Sequence, residues 1–452
     1  MREHELAIIG GGPAGLACAL EATRLGHRPL VLEQEPVLGG IARTEEVHGF
    51  LFDLGGHRFH TDLAEIETLW TSLMGEDFLL RPRLSRIYYR RRFFDYPLKL
   101  LPTLRKLGFG TSAAIMASYL YARVRPYRDP QSFEQWVVNR FGRRLYEAFF
   151  RSYTEKVWGM PCSEISADWA AERIRGLSLR EIVQAALAGN RAGHASLIDQ
   201  FRYPPRGPSM MWERMASLIT ETGGEIRLSS PVETVEHDGT RVTALRFGGE
   251  RLELEGAAVV SSAPLRELVL HLEPEPPAEV LAAARALRFR GLLTVAVILE
   301  AADLFPDNWV YVHEPQVRMG RIQSPRNWSP AMAPDSDRTL LGLEYFCWPG
   351  EDLWTWPDED LIALGARELT DMGLRHGEAV HGGRVVRVPF AYPVYDPGYQ
   401  QRRETLLAYL AGLSNLQVIG RGGTHRYDNM DLAMLSGLTA ARQLYSQAEA
   451  LH

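Results

Sequence analysis

The chain has 452 residues, too many for one small core, so two or three domains are expected. With 46% hydrophobic residues, 23% charged residues and a formal net charge of −6, the composition is globular and excludes a disordered tail and a basic nucleic-acid-binding protein. Cys18, Cys162 and Cys347 are odd in number and far apart, which excludes a disulfide framework and a CxxC metal centre and makes a reducing cytoplasm the expected location.

The opening residues, MREHELAIIGGGPAGLACAL, break their apolar run at Gly10 to Pro13 and carry Glu3 and Glu5, unlike the basic start of a secretory signal. ELAIIGGGPAGLACALEATRLGHRPLVLE reads as strand, glycine turn, helix and second strand. Gly10, Gly12 and Gly15 complete GxGxxG: the first allows a tight turn, the second a close backbone approach to a pyrophosphate, and the third close packing of helix on strand. Glu33 ends the second strand 18 residues beyond Gly15, near the spacing of about 20 at which an acid takes the ribose hydroxyls. A second glycine pair follows in LGGIART: on its own it is also compatible with a simple turn, but it stands where two-dinucleotide-binding-domain flavoproteins bring backbone and a side chain, here Gly40 and Arg43, near the cofactor, which favours FAD over NAD.

GGHRFHT, Gly55 to Thr61, sets His57 and His60 around Arg58 and Phe59. No nearby Cys, His, Asp or Glu makes a familiar ligand spacing with them, so no metal is assigned. Leu63, Ile66, Leu69, Trp70 and Leu73 have helical spacing, and RIYYRRRFFDYPL reads as a hairpin with a basic tip. A helical block runs from about Leu101 to Gln200, punctuated by Pro126, Pro130 and Pro161. Within it GTSAAIMASYLYARV, Gly110 to Val124, is apolar but shorter than the ~20 residues of a membrane span, and reads as a buried helix with a membrane-surface contact as the alternative. LAGNRAGHA, Leu187 to Ala195, has the glycines and polarity of either a closing flap or an interhelical loop. Residues 225–264 alternate as a β-meander with turns at Asp238-Gly239 and Gly248-Gly249. The stretch to Phe390 is rich in tryptophan, and LQVIGRGGTHRYDNMDLAMLSGLTAARQL closes as strand, glycine turn, polar loop and helix.

The expected fold is therefore α/β: an FAD-binding Rossmann-type (two-dinucleotide-binding-domain) fold with an inserted helical domain and an inserted mixed or antiparallel sheet domain. Residues 1–85, 205–285 and 405–452 are assigned to the FAD-binding domain, 101–204 to the helical domain, and 86–100 with 286–404 to a substrate-binding sheet domain.

Five further segments, GGHRFHT, YTEKVWG, RMGRIQSPRNWSP, AYPVY and GRGGTHRYDNMD, occur in order along the chain. Together with the glycine fingerprint they resemble the UDP-galactopyranose mutase family. The resemblance implies a nucleoside-diphosphate sugar as substrate, such as a UDP-galactose, and interconversion of its pyranose and furanose forms. N5 of reduced FAD would attack the anomeric carbon, with no net redox change and with NAD(P)H or another outside reductant keeping the flavin reduced. It implies diphosphate arginines at Arg173 (or Arg175) and Arg321, because guanidinium forks match phosphate oxygens. Tyr392 and Tyr427 would donate hydroxyls to the diphosphate, Trp158 would lie beside the sugar, and Tyr96, Lys99 and Asn429 would complete the substrate contacts. Gly56 and His57 would face the flavin ring, with His57 shuttling a proton, while Val232, Arg421 and Met430 would join the cofactor contacts. His60 is read as support within the loop.

Two positions depart from the family pattern. Lys99 and Leu100 stand where a glutamine and an asparagine approach the uracil, and Asn429 stands where bacterial members carry aspartate. The competing reading is an FAD-dependent oxidase or dehydrogenase of the protoporphyrinogen oxidase, amine oxidase or phytoene desaturase type, which shares the fold and the amino-terminal motifs. A third is a flavoprotein that keeps FAD for structure alone. No nucleic-acid partner and no membrane span are expected, and a homo-oligomer is compatible with the sequence.

Overall fold

A computed structural model describes residues 5–96, 98, 100–169, 200–334 and 337–449. Three sheets carry the architecture of the described residues. The first is parallel and five-stranded, in the order β20-β13-β1-β2-β9, with β1 Leu6–Ile9, β2 Pro29–Leu32, β9 Glu225–Arg227, β13 Ala258–Ser261 and β20 Leu416–Val418. β1 and β2 are buried at every position, as a parallel strand covered on both faces requires. Helix α1, Pro13–Arg24, crosses between them and buries ten of its residues. Helix Met430–Glu449 crosses α1 so closely that a Cβ on Gly437 would lie 2.1 Å from the Ala14 carbonyl oxygen.

The second sheet, β12-β11-β10-β14, joins β10 Val232–His237, β11 Val242–Phe247, β12 Glu250–Glu253 and β14 Leu272–Glu273. Residues 225–264 are thus not one meander: only β10 to β12 form it, while β9 and β13 leave to pair in the parallel sheet. Both departing strands are short, so local alternation does not tell their partners apart.

The third sheet has seven strands, β19-β15-β18-β17-β16-β6-β7, antiparallel except for the β16/β6 pair. Its members are β6 Ser85–Tyr89, β7 Arg92–Asp95, β15 Phe289–Leu299, β16 Trp309–Val312, β17 Arg321–Gln323, β18 Thr339–Cys347 and β19 Val380–Pro393. β6 and β7 form the hairpin read from the sequence, with Arg90 and Arg91 at positive φ in its turn. Two antiparallel pairs, the hairpin of β3 Thr44–Val47 with β4 Phe50–Asp53 and the long-range pair of β5 Leu79–Pro82 with β8 Gln200–Tyr203, complete the strands. Helix α2 spans Ala64–Met74, and the helical block holds α3 Leu100–Leu107, α4 Phe109–Val124 and shorter helices to Trp158. Arg173, Arg175, Lys99 and the Leu187 to Ala195 segment lie outside the described residues. Among the described residues no helix is long and apolar enough to cross a membrane.

Candidate functional site

A cleft of about 770 Å³ runs from the carboxyl ends of β1, β2 and β13 to the inner face of the seven-stranded sheet. Ligands of open parallel sheets bind at this end of the strands. Gly10 leaves β1 with φ +101°, and a Cβ on Gly15 would stand 1.9 Å from the Gly10 carbonyl oxygen, so both glycines are required by the protein's own packing. Gly12 differs: its φ is −78°, and a Cβ there would meet only the Gly40 Cα, at 3.9 Å. The space above the α1 N-terminus is an open cradle, where free N–H groups favour phosphate.

Glu33, at the end of β2, is held by backbone. Oε2 accepts from the Gly11 N–H at 2.6 Å and Oε1 from the Glu35 N–H at 2.9 Å. Each oxygen keeps a lone pair for a ribose hydroxyl. Burial raises the Glu33 pKa, and the two N–H groups pull it back. Arg43 pairs with Glu45 at 2.7 Å and donates to the Gly40 carbonyl at 3.2 Å, so it braces the glycine turn. Gly56, Val232 and Met430 line the same cleft. Open cradle, oriented acid and glycine turn together fit a dinucleotide cofactor.

The other arm is polar and aromatic. Arg321 at the start of β17 donates from Nη2 to the Tyr392 hydroxyl at 2.7 Å and forms an ion pair with Glu344 of β18, which has no exposed surface. Gln323 donates to the other Glu344 oxygen at 2.7 Å. Burial opposes the Arg321 charge, but Glu344 first, then the hydroxyls of Tyr392, Tyr153 and Tyr427, hold its pKa well above the ordinary value. Tyr392 and Tyr427 stack with centroids 5.6 Å apart, and the Arg421 guanidinium lies 4.9 Å and 4.0 Å from their rings. Arg421 is fixed by the Ala391 carbonyl at 2.6 Å. His57 is pushed down to about 4, by burial first and then by the charges of Arg421 and Arg321. It is therefore neutral at pH 7, and the two arginines set a positive field around it despite Glu344.

His57 Nδ1, Arg58 Nη1, Arg321 Nε and Arg421 Nε are buried with no hydrogen-bond partner among the described residues, and all four side chains line the cleft. A buried polar group left unmade costs roughly 1–3 kcal/mol, more when charged, so these atoms are set for a polar ligand.

The structure brings His57, Arg321, Tyr392, Tyr427, Arg421 and Asn429 to one cleft. Trp158 is not on its wall. It is fully buried behind the two tyrosines, 6.5 Å from Tyr392 and 6.3 Å from Tyr427, with its ring edge against Trp169 at 5.1 Å. Trp158 thus packs against the two tyrosines and does not line the cleft. Tyr96 also stands off the cleft, its ring 4.7 Å from Tyr311, which does line it. His60 is exposed at the cleft margin. Missed from the sequence were Glu344, Gln323 and Tyr311. Glu344 carried a readable signal, as the one charged residue in TLLGLEYFC, a strand buried at every position.

A family model described as flavin containing amine oxidoreductase matches residues 13–445. A protein of Klebsiella pneumoniae described as a probable UDP-galactopyranose mutase is 28% identical over 174 residues, which cover 37% of this chain and 44% of that one. The 15-cis-phytoene desaturase of Synechococcus elongatus is 24% identical over 499 residues, covering 99% and 97%. Among solved structures, a reduced UDP-galactopyranose mutase superposes with a TM-score of 0.85 at 20% identity, covering 98% of this chain and 96% of that one. The fold is the FAD-binding α/β fold shared by amine oxidases and this mutase.

Proposed function

The chain belongs to the flavin containing amine oxidoreductase family, and we propose that within it this FAD-binding protein acts on a nucleoside-diphosphate sugar, as a pyranose–furanose mutase. The observation that carries this reading is the convergence of unpartnered cationic nitrogens from Arg58, Arg321 and Arg421 with the hydroxyls of Tyr392 and Tyr427 in one cleft. A hydrocarbon substrate would leave the three arginine nitrogens unmade; a diphosphate would complete them.

Gly10, Gly12, Glu33, Gly40, Arg43 and Met430 are the residues that would hold FAD, with Gly56 and His57 where the cleft turns toward the sheet. The chemistry that FAD would supply there, when bound and reduced, is a nucleophile for the anomeric carbon. The protein's own contribution is electrostatic. Arg321 and Arg421 offer directional N–H groups to the departing diphosphate, where charge builds as the glycosidic bond breaks. Tyr392 stays protonated, since burial raises its pKa more than Arg321 lowers it, so its hydroxyl can donate. Neutral His57 presents one ring nitrogen as acceptor and the other as donor, the form needed to pass a proton during ring opening.

A second reading, net oxidation or reduction of an organic substrate, is supported by the family match and by the near-complete overlap with the desaturase. The Arg321–Glu344 ion pair also favours it, because half of the proposed anion clamp is already neutralised. Titration of UDP, GDP and dTDP into oxidised and reduced protein separates the two. The mutase reading expects binding of at least one nucleotide that falls tenfold or more in Arg321→Ala, and sugar turnover only when reduced. Indifference to all three, together with substrate-driven flavin reduction, overturns it.

A further inference from the structure

Helix α4 turns the wrong face outward. Phe109, Val124, Tyr121 and Leu120 are 91%, 79%, 63% and 60% exposed, the four most exposed large apolar side chains among the described residues. Ala113 and Ala117 continue the stripe at helical spacing, while Ile115 and Ala122 on the opposite side are buried. The exposed stripe carries no charge; Arg123 stands at its edge. Large contiguous exposed apolar surface marks an interaction site.

The charge around it selects the partner. From Leu98 to Arg128 the sequence holds six basic residues and no acidic one, in a chain whose formal net charge is −6. Arg105, Lys106, Arg123, Arg125 and Arg128 are all exposed. The Arg125 guanidinium sits 6.0 Å from the Tyr121 ring, so its charge rides at the edge of the apolar stripe. A second copy of the chain meeting this face would set one basic cluster against another. An anionic lipid surface meets both features at once, taking apolar side chains below the headgroups and arginines among them. The 16-residue helix is about 24 Å long, too short for the ~30 Å hydrocarbon core, so it lies on a membrane and does not cross it.

We propose that α4 docks the protein on an anionic bilayer. This does not depend on which reaction the cleft performs.

The test is cosedimentation of the FAD-loaded full chain with vesicles of phosphatidylcholine alone or of phosphatidylcholine with one part in three of phosphatidylglycerol. Binding is expected to the anionic vesicles only, and to weaken at high salt. Leu120→Glu/Val124→Glu should abolish it, and Arg123→Gln/Arg125→Gln should weaken it roughly tenfold or more. Both variants should keep their FAD, which reports that they fold. Equal binding to both vesicle types, binding to neither, or binding unchanged in both variants overturns the proposal. So does a dimer in solution that Leu120→Glu splits, which would make the face an interface between copies.

Discussion

At Arg321 the sequence announces a cation and the structure shows why its charge is not free. The guanidinium is paired with Glu344, which has no exposed surface, and Gln323 holds the second carboxylate oxygen at 2.7 Å. What Arg321 adds to the site is direction: one N–H on the Tyr392 hydroxyl and an unpartnered Nε. At His57 the positive potential comes more from Arg421 than from Arg321. Removing one partner of a buried ion pair costs far more than removing both. Arg321→Met is therefore expected to lose roughly 3–5 kcal/mol in urea unfolding and to lose nucleotide affinity. Arg321→Met/Glu344→Gln should recover most of the stability and none of the affinity. A loss below about 1 kcal/mol in the single variant would mean that the pair is solvated in solution. Arg321 was legible because its flanking segment matched a pattern; Glu344 stood out as the one charge in TLLGLEYFC, but its pairing with Arg321 did not, because nothing in that strand names the residue opposite it across the register.

The β1-α1-β2 unit was the most legible element, since its turn, helix and second strand are contiguous and each glycine has a separate local reason. Those reasons make separable predictions. Gly15→Ala drives a Cβ to 1.9 Å from the Gly10 carbonyl oxygen, so strand and helix must part; both FAD retention and thermal stability should fall. Gly12→Ala is allowed by φ −78° and meets protein only at 3.9 Å, so the FAD-free protein should melt within a degree or two of the parent, within the few tenths of a kcal/mol of a neutral surface change. Its methyl occupies the phosphate approach, and FAD affinity should drop at least tenfold, read by flavin fluorescence during dialysis. If Gly12→Ala retains FAD like the parent, the cradle is not where the pyrophosphate lies. Where strands pair at long range, legibility ended: β9 and β13 look like neighbours of the β10–β12 meander and instead flank β2 and β1. Trp158 fails for a related reason. Its motif places it near the two tyrosines, but the side of them on which it packs is decided by Trp169 and the core around it.

Over the whole molecule, the parallel sheet takes strands from near residues 6, 29, 225, 258 and 416, and the cleft is complete only when that sheet meets the seven-stranded one. Two buried histidines sit in that assembly with no role in the cleft. His313 stacks on Tyr153 at 4.7 Å and is 5% exposed; His425 packs edge-on against Phe289 at 4.7 Å and is fully buried. Burial, then Lys156, pushes His313 down to about 3, and burial pushes His425 down to about 3 as well. Both are neutral in the fold and take up a proton near pH 6.5 when unfolded. The unfolded chain binds more protons below that pH, so stability falls as pH drops from about 6.5 toward 3 and levels off below, by on the order of 5 kcal/mol for each histidine. Asp53 acts in the opposite sense: burial raises it to about 7, so its neutral form is gained as pH falls. The histidine contribution is isolated by difference. His313→Phe keeps the ring stack, and His425→Asn suits the left-handed backbone there, φ +48°. The double variant should be less stable than the parent at pH 7.5, where buried packing is lost, and should close most of that gap by pH 4.5 in urea titrations. Parallel stability curves for the two proteins from pH 7.5 to 4.5 would show that neither imidazole is held neutral by the fold.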